Sequence, residues 1–503
     1  MFTATDTESA TTIAVPYLDV HETHTGVVVL AADRAYKAKK PVLTDVLDFR
    51  TAEQRERACR REVELNSRLS PDSYLGIAHL SDPAGGPPEP VIVMRRYRDD
   101  DRLASMVTRG PAETVHGALD AVARVLARFH HKAERSQSIN AQGEVGAIER
   151  RWRDNLSELH RYADAATKGI RAESVREIES LVAEFLAGRA PLFGSRIEYS
   201  CIVDGHGDLL ADDIFWVHGK PALLDCLEFD DELRYVDCVD DAAFLVMDLE
   251  FLGRKDFGDY FRQRYAEHSG QSAPSALWDF YIAYRGVVRA KVDCVRQSQG
   301  KSEAAHDAAR HLAIAVAHLQ DGAVRLALVG GNPGTGKSTV ARGLAEKVDA
   351  QVISTDDVRR ELREAGAITG NAGVLDEGLY SPDNVAAVYE AALRRAHRLL
   401  SHGRSVILDG TWGDPDMRAQ AHRLAAETHS VLVELMCSAT ADTTAERITT
   451  RRAGNSEVTV QIAAALAGRH AGWDTAYPID TSAERGHAVQ QAHQIWQRSS
   501  FPS

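Results

Sequence analysis

The sequence predicts two folds in series: an α+β part with a small strand-rich lobe and a larger helical lobe, then an α/β part on a parallel sheet. Three observations predict this. Short apolar strands near the N-terminus give way to helical periodicity up to about Leu319. After the helical stretch AAHDAARHLAIAVAHLQDG the pattern changes abruptly to short apolar runs separated by helical segments, as in a doubly wound sheet. At 503 residues the chain is also too long for one compact core, so two or three domains are expected.

Composition narrows the function classes. Hydrophobic residues at 44% and charged residues at 26% are ordinary for a globular protein, and no run of 18 or more apolar residues marks a membrane span. The opening MFTATDTESATT is acidic and polar and has no secretory n-region and h-region, so a cytoplasmic location is expected. Six scattered cysteines without a CxxC pair argue against a disulfide framework or zinc site, and reduced core cysteines are expected. The net charge is -14, and the segment from Arg325 onward carries 19 basic against 21 acidic residues, so most of the acidic excess lies earlier. That balance argues against a diffuse nucleic-acid surface but leaves room for a local basic pocket. It leaves the oligomeric state open.

The elements follow in order. GVVVLAADRAYKAKK, residues 26–40, reads as two strands joined by a polar turn, followed by Pro41. Residues 52–69 form a charged helix pattern with Leu65 and Leu69 on one face. PVIVMRRY is another strand, and SDPAGGPPEP before it is a turn between strands. Strands plus one helix, then a larger helical part, is the two-lobed layout of a protein-kinase-like fold, with residues 1–97 as small lobe and 98–322 as helical lobe. Residues 323–503 form the last domain, with a boundary near Gly322. There RLALVGG is a buried strand, STVARGLAEKV puts Val340, Leu344 and Val348 on one helical stripe, and VISTDD, SVILDG and VLVELMC supply three more strands. No internal repeat or low-complexity tract interrupts the chain.

The strongest motif is GNPGTGKST. Gly331, Asn332, Pro333, Gly334, Thr335, Gly336, Lys337 and Ser338, with Thr339 following, match the P-loop pattern between a strand and a helix. The glycines let backbone N–H groups close around phosphates at the positive end of the helix. Lys337 is expected to neutralise the β and γ phosphates of ATP, and the Ser338 hydroxyl to ligate Mg2+. The domain has two lysines, one of them Lys337.

The surrounding carboxylates decide what such a loop does. VILDGTW places Asp409 before Gly410, so the water-activating glutamate of motor-type ATPases is missing there. STDDVRREL sets Asp356 and Asp357 at the carboxyl edge of the sheet, where Asp356 can take a proton from a substrate hydroxyl. Arg359 can hold an anionic substrate, and Asp409 is placed with it on the substrate side. Asp357 alternatively caps the next helix. On the loop, STDDVR and VILDGTW, this P-loop NTPase domain resembles the small P-loop kinases that include gluconate and shikimate kinases, polynucleotide kinase and zeta toxins. That resemblance implies an arginine-bearing lid over ATP, and Arg447, Arg451 and Arg452 lie where it belongs.

The first domain carries HGDLLADDIF. In a kinase catalytic loop an Asp accepts the hydroxyl proton, an Asn five residues later binds magnesium, and a further Asp on the next strand binds the metals. Asp208 supplies the first, Asp213 occupies the Asn position, and Asp225 in PALLDCLEFDD the third. Here the chain resembles the aminoglycoside phosphotransferase-like family, and more fully the two-domain bacterial proteins that fuse such a module to a P-loop kinase. The match runs through ETHTGVVVL, AYKAKKPV, LDF, EVELNSRLSPDSYLG, HGDL and DCLEFDDELRYVDCVDDAAFLVMDLE. It implies that Lys37 or Lys39, which alternate onto the same face, is the ATP-phosphate lysine, with Lys37 preferred. Its partner is better assigned to Glu62 than Glu64, because Glu62 shares a helix face with Leu65 and Leu69.

Two departures stand out. The family reads HGDLHPGN or HGDLHLGN where this chain has HGDLLADD, losing a glycine and the Asn, and no G-x-G-x-x-G precedes Lys37. Aspartate still offers oxygen to a hard cation, so Asp213 can hold magnesium. The leading expectation is a Mg2+-dependent bifunctional phosphotransferase acting on hydroxyls of small-molecule acceptors. The alternatives are a pseudokinase-like metabolite sensor fused to a nucleotide switch, and a kinase of nucleic-acid ends or nucleotide sugars. Aminoglycosides as acceptors do not follow from the family name.

Overall fold

The strands of the first lobe form one antiparallel sheet in the order β1-β2-β3-β5-β4, seen in a computed structural model that describes residues 17–22, 25–43, 48–81, 83–164, 167, 169–371, 376–450, 472–482 and 484–499. Beside the expected β2 (Gly26–Ala31) and β3 (Arg34–Lys39), an edge strand β1 (Leu18–Glu22) pairs with β2. Helix α1 (Ala52–Ser67) starts at a capping box in which the Thr51 hydroxyl accepts the Gln54 N–H and the Gln54 side chain accepts the Thr51 N–H. It ends two residues before the expected Leu69. β4 (Tyr74–Leu80) and β5 (Glu89–Arg95) complete the sheet, and the register sets Lys37 between Val28 and Ile92. Cys59, Tyr74, Ile92 and Met94 lie in its core.

The chain continues through α2 (Leu103–Arg109), α3 (Ala112–Lys132), α4 (Gln137–Ala141), α5 (Val145–Asp164), α6 (Ala172–Gly188) and α7 (Ala190–Glu198). Four short strands interrupt the helices: β6 (Ile202–Asp204), the hairpin of β7 (Ile214–Val217) and β8 (Lys220–Leu223), and β9 (Tyr235–Asp237), which pairs with β6. Then come α8 (Cys238–Phe251), α9 (Lys255–Ser269), α10 (Ser275–Ser298) and α11 (Ala304–Asp321). Helix α8 is buried along nearly its whole length, because its apolar residues run all round the helix. Among the described residues no helix is long and apolar enough to cross a membrane.

β10 (Arg325–Gly330) begins the parallel sheet and is buried at all six residues. α12 (Lys337–Val348) follows the P-loop, then β11 (Gln351–Ser354), α13 (Thr355–Glu364), α14 (Pro382–Ser401), β12 (Val406–Asp409), α15 (Pro415–Glu427), β13 (Val431–Ser438) and α16 (Ala441–Thr450). A fifth strand, β14 (Tyr477–Asp480), precedes α17 (Arg485–Arg498). The order is β11-β12-β10-β13-β14, with every neighbouring pair parallel. The registers Val329 to Asp409 and Ser354 to Asp409 bring the P-loop, Asp409 and the start of α13 to one carboxyl edge.

Two compact units result: Met1–Glu134 with Val203–Gly270, and Arg135–Ile202 with Gln271–Ser503. Helices α4 to α7, α10 and α11 thus cluster with the parallel sheet. In that second unit the Arg189 guanidinium, 1% exposed, donates to the Thr428 carbonyl at 2.6 Å and the His429 carbonyl at 3.2 Å, just beyond the end of α15.

Candidate functional site

In the first unit, β3 and α1 bring two lysines to one carboxylate. Glu62 is fully buried, and its two oxygens take Lys37 Nζ at 2.8 Å and Lys39 Nζ at 2.5 Å. The lysines differ in their other partners: Lys37 reaches Asp225 Oδ1 at 2.6 Å, whereas Lys39 reaches Glu228 Oε1 at 2.5 Å. Burial disfavours the Lys37 charge, but Asp225 and then Glu62 outweigh it, so its ammonium titrates well above the ordinary lysine range.

The catalytic-loop segment is held from α8. Asp241 accepts the N–H groups of His206 and Gly207, both at 2.8 Å, and Asp248 accepts that of Ala211 at 2.8 Å. His130 on α3 bonds Asp241 at 2.8 Å and the Tyr265 hydroxyl at 2.7 Å. His206 is buried and bonds the Leu224 carbonyl through Nε2 at 3.0 Å, and burial depresses its pKa, leaving it neutral. Asp208 therefore leaves a loop whose backbone is fixed on both sides.

Asp208, Asp213 and Asp225 stand close enough to act on one another's ionisation. Burial, then Asp225 and Asp208, push the Asp213 carboxyl well above the ordinary range. Desolvation also favours a protonated Asp225, but the Lys37 ammonium outweighs it and holds Asp225 low. Facing carboxylates of this kind suit a divalent cation, which would relieve their repulsion. Among the described residues no group of three or more His, Cys, Asp or Glu side chains is set to hold a metal ion.

In the second unit the P-loop has the backbone its glycines predict. Gly331 is at φ +130°, and a Cβ there would lie 2.3 Å from the Cys437 carbonyl oxygen; Gly334 and Gly336 are both at φ +83°. Lys337 Nζ donates to the Asn332 carbonyl at 2.9 Å across the mouth of the loop. Asp409, 5% exposed, takes a hydrogen bond from Ser338 and stands near Lys337; burial raises its pKa, and those two groups oppose the rise. Asp409, expected on the substrate side, bonds the Ser338 hydroxyl.

Asp356 lies in the first turn of α13, its Oδ1 2.6 Å from Arg359, whose guanidinium also stacks 4.7 Å from the Tyr380 ring. The α13 cap is Ser354, which accepts the Asp356 N–H, so Asp357 is not the cap and instead pairs with Arg360 at 3.0 Å. Arg447 on α16 donates to the Thr481 carbonyl at 2.7 Å, and Thr481 donates to the Thr335 carbonyl at 2.7 Å, which ties this arginine to the P-loop. Arg451 and Arg452 lie outside the described residues.

Sequence reasoning missed Glu228, Asp241, Asp248 and His130. The stretch DCLEFDDELRYVDCVDDAAFLVMDLE holds the first three, but its spacing does not say which carboxylate faces the loop. Tyr389 was missed too: its hydroxyl accepts the N–H groups of Thr411 and Trp412, both at 3.2 Å, and so shapes the turn after Asp409.

The chain thus joins an antiparallel-sheet lobe and its helices to a five-stranded parallel sheet that carries a P-loop. A family model described as an AAA domain matches residues 326–471. The chain belongs to the same family as the uncharacterized proteins Rv2004c of Mycobacterium tuberculosis and Mb2027c of Mycobacterium bovis, each 68% identical over 481 residues and covering 96% of both chains. Among solved structures, a choline/ethanolamine kinase family protein from Mesorhizobium loti is 14% identical over 62% of this chain and 94% of its own, with a TM-score of 0.36. A gluconokinase from Sinorhizobium meliloti is 16% identical over 35% of this chain and 92% of its own, with a TM-score of 0.26.

Proposed function

We propose that the chain is a cytoplasmic bifunctional phosphotransferase that uses ATP and Mg2+ at both sites and transfers the γ-phosphate to hydroxyls of small-molecule acceptors. One relation, repeated in both folds, carries this reading: a phosphate-binding lysine stands beside the carboxylate that serves the metal. Lys37 lies 2.6 Å from Asp225, and Lys337 stands near Asp409, which takes the Ser338 hydroxyl.

In the first site Asp208 accepts the acceptor's hydroxyl proton as the new bond from acceptor oxygen to γ-phosphorus forms. The bond from that phosphorus to the β-γ bridging oxygen breaks, and ADP leaves with the electron pair. Lys37, steadied by Glu62, would hold the phosphates, and Asp213 and Asp225 would hold the cation, which would supply charge neutralisation on them. In the second site Asp356 is the corresponding base, and Arg359 fits an anionic group on the acceptor. Lys337 and the P-loop amides would hold the phosphates, Ser338 would serve the metal with Asp409 behind it, and Arg447, tied to the P-loop through Thr481, would meet the nucleotide.

The test is ATP turnover across a panel of small hydroxyl compounds with Asp208→Asn and Asp356→Asn made separately. Loss of different acceptors in the two variants supports two activities; turnover unchanged in both overturns the assignment of bases. A second reading, a nucleotide-binding sensor in the first domain, is favoured by the Asp213 replacement alone. It gains if Asp208→Asn keeps nucleotide binding and alters no transfer rate.

A further inference from the structure

The segment that carries Asp225 is fastened to the small lobe almost residue by residue. The Ser70 hydroxyl accepts the Leu223 N–H at 2.9 Å and donates to the Leu223 carbonyl at 2.8 Å. The Tyr74 hydroxyl oxygen accepts the Asp225 N–H at 3.2 Å. Asn66 Oδ1 accepts the Cys226 N–H at 2.8 Å, while its Nδ2 donates to the Glu62 carbonyl at 2.9 Å. All three side chains are buried, so these bonds are shielded from competing water.

They converge on a backbone that needs them. Asp225 sits at φ +61°, a left-handed conformation that a non-glycine residue keeps when its surroundings over-determine it. General packing would explain the burial of Asn66, Ser70 and Tyr74. It would not explain why their polar atoms meet the main chain at Leu223, Asp225 and Cys226. The same stretch of chain also carries Glu62, so the lysine's carboxylate and the metal's carboxylate are aligned by one piece of structure.

We infer that Asn66, Ser70 and Tyr74 are positioning residues for the metal site of the first domain, setting the 223–226 backbone so that Asp225 stands ready beside Asp213. The inference rests on the reading of Asp213 and Asp225 as the metal pair. Ligands fixed in advance spare the cation the cost of ordering them.

The test uses the full chain with Lys337→Ala, so that nucleotide binding reports the first site. A non-hydrolysable ATP analogue is titrated calorimetrically at a series of Mg2+ concentrations. Tyr74→Phe, which loses one oxygen and keeps the ring, and Ser70→Ala should each raise the Mg2+ concentration for half-maximal binding about tenfold, with analogue affinity at saturating Mg2+ within about twofold of the parent. Ser70→Thr, which keeps the hydroxyl, should restore the parent value. A Tyr74→Phe protein that melts earlier but has an unchanged Mg2+ midpoint overturns the inference and makes the hydroxyl merely structural. A parent that binds no analogue at any Mg2+ concentration overturns the underlying reading, and this inference with it.

Discussion

Lys37 Nζ lies 2.6 Å from Asp225 Oδ1, so the cation expected on the nucleotide phosphates neutralises the carboxylate expected on the metal. On the proposed function, both charges exchange partners when nucleotide and metal arrive. Glu62 can stay compensated through that exchange because Lys39 holds its other oxygen.

Lys37→Met should therefore weaken nucleotide binding at the first site by about tenfold or more, since one charge-assisted contact is lost and Asp225 is left unpaired. Lys39→Met should weaken it less, because Lys39 acts through Glu62 and Glu228. Calorimetry in the Lys337→Ala background measures both.

Metal-free stability should depend on pH through Asp213. Its folded pKa is raised, so between the ordinary carboxylate range and that raised value the folded chain holds a proton that the unfolded chain has lost. Stability from this group is present at acid pH and falls as pH rises through that window. Asp213→Asn should thus raise the melting temperature at neutral pH in chelator, and change it little below the ordinary carboxylate range. Thermal melting at the two pH values decides it.

Much of this arrangement was legible in the chain. The glycines of the P-loop and the apolar runs of β10, β12 and β13 are local signals, as are the spacings of Asp208, Asp213 and Asp225. β1 and β14 were not legible, because LDVHE and YPID are short edge strands without an apolar run. Nor were the partners of Asp225: Asn66 and Tyr74 meet its segment across 160 and 151 residues of chain, and no periodicity encodes such a contact. Lys37 and Lys39 stayed ambiguous for a physical reason, since both do reach Glu62.

Gly331→Ala should disable the second site. Its Cβ would stand 2.3 Å from the Cys437 carbonyl at a φ that L residues avoid, so the loop must move or strain by about 1–3 kcal/mol. Loss of analogue binding at the second site, with the first site still titrating, is the expected result.

Arg189→Ala should destabilise the second unit without touching either nucleotide site. The guanidinium has no carboxylate partner among the described residues, burial pulls its pKa down to about 9, and it donates to the Thr428 and His429 carbonyls. Each acceptor left unsatisfied costs about 1–3 kcal/mol. A lower melting temperature with unchanged analogue affinity is expected.

The most direct measurement is a calorimetric titration of the full chain with a non-hydrolysable ATP analogue and Mg2+, repeated on Lys337→Ala and Lys37→Met. Two binding events in the parent, each variant losing a different one, is the predicted result. A single event, abolished by Lys337→Ala and indifferent to Lys37→Met, would contradict the claim that both folds hold nucleotide.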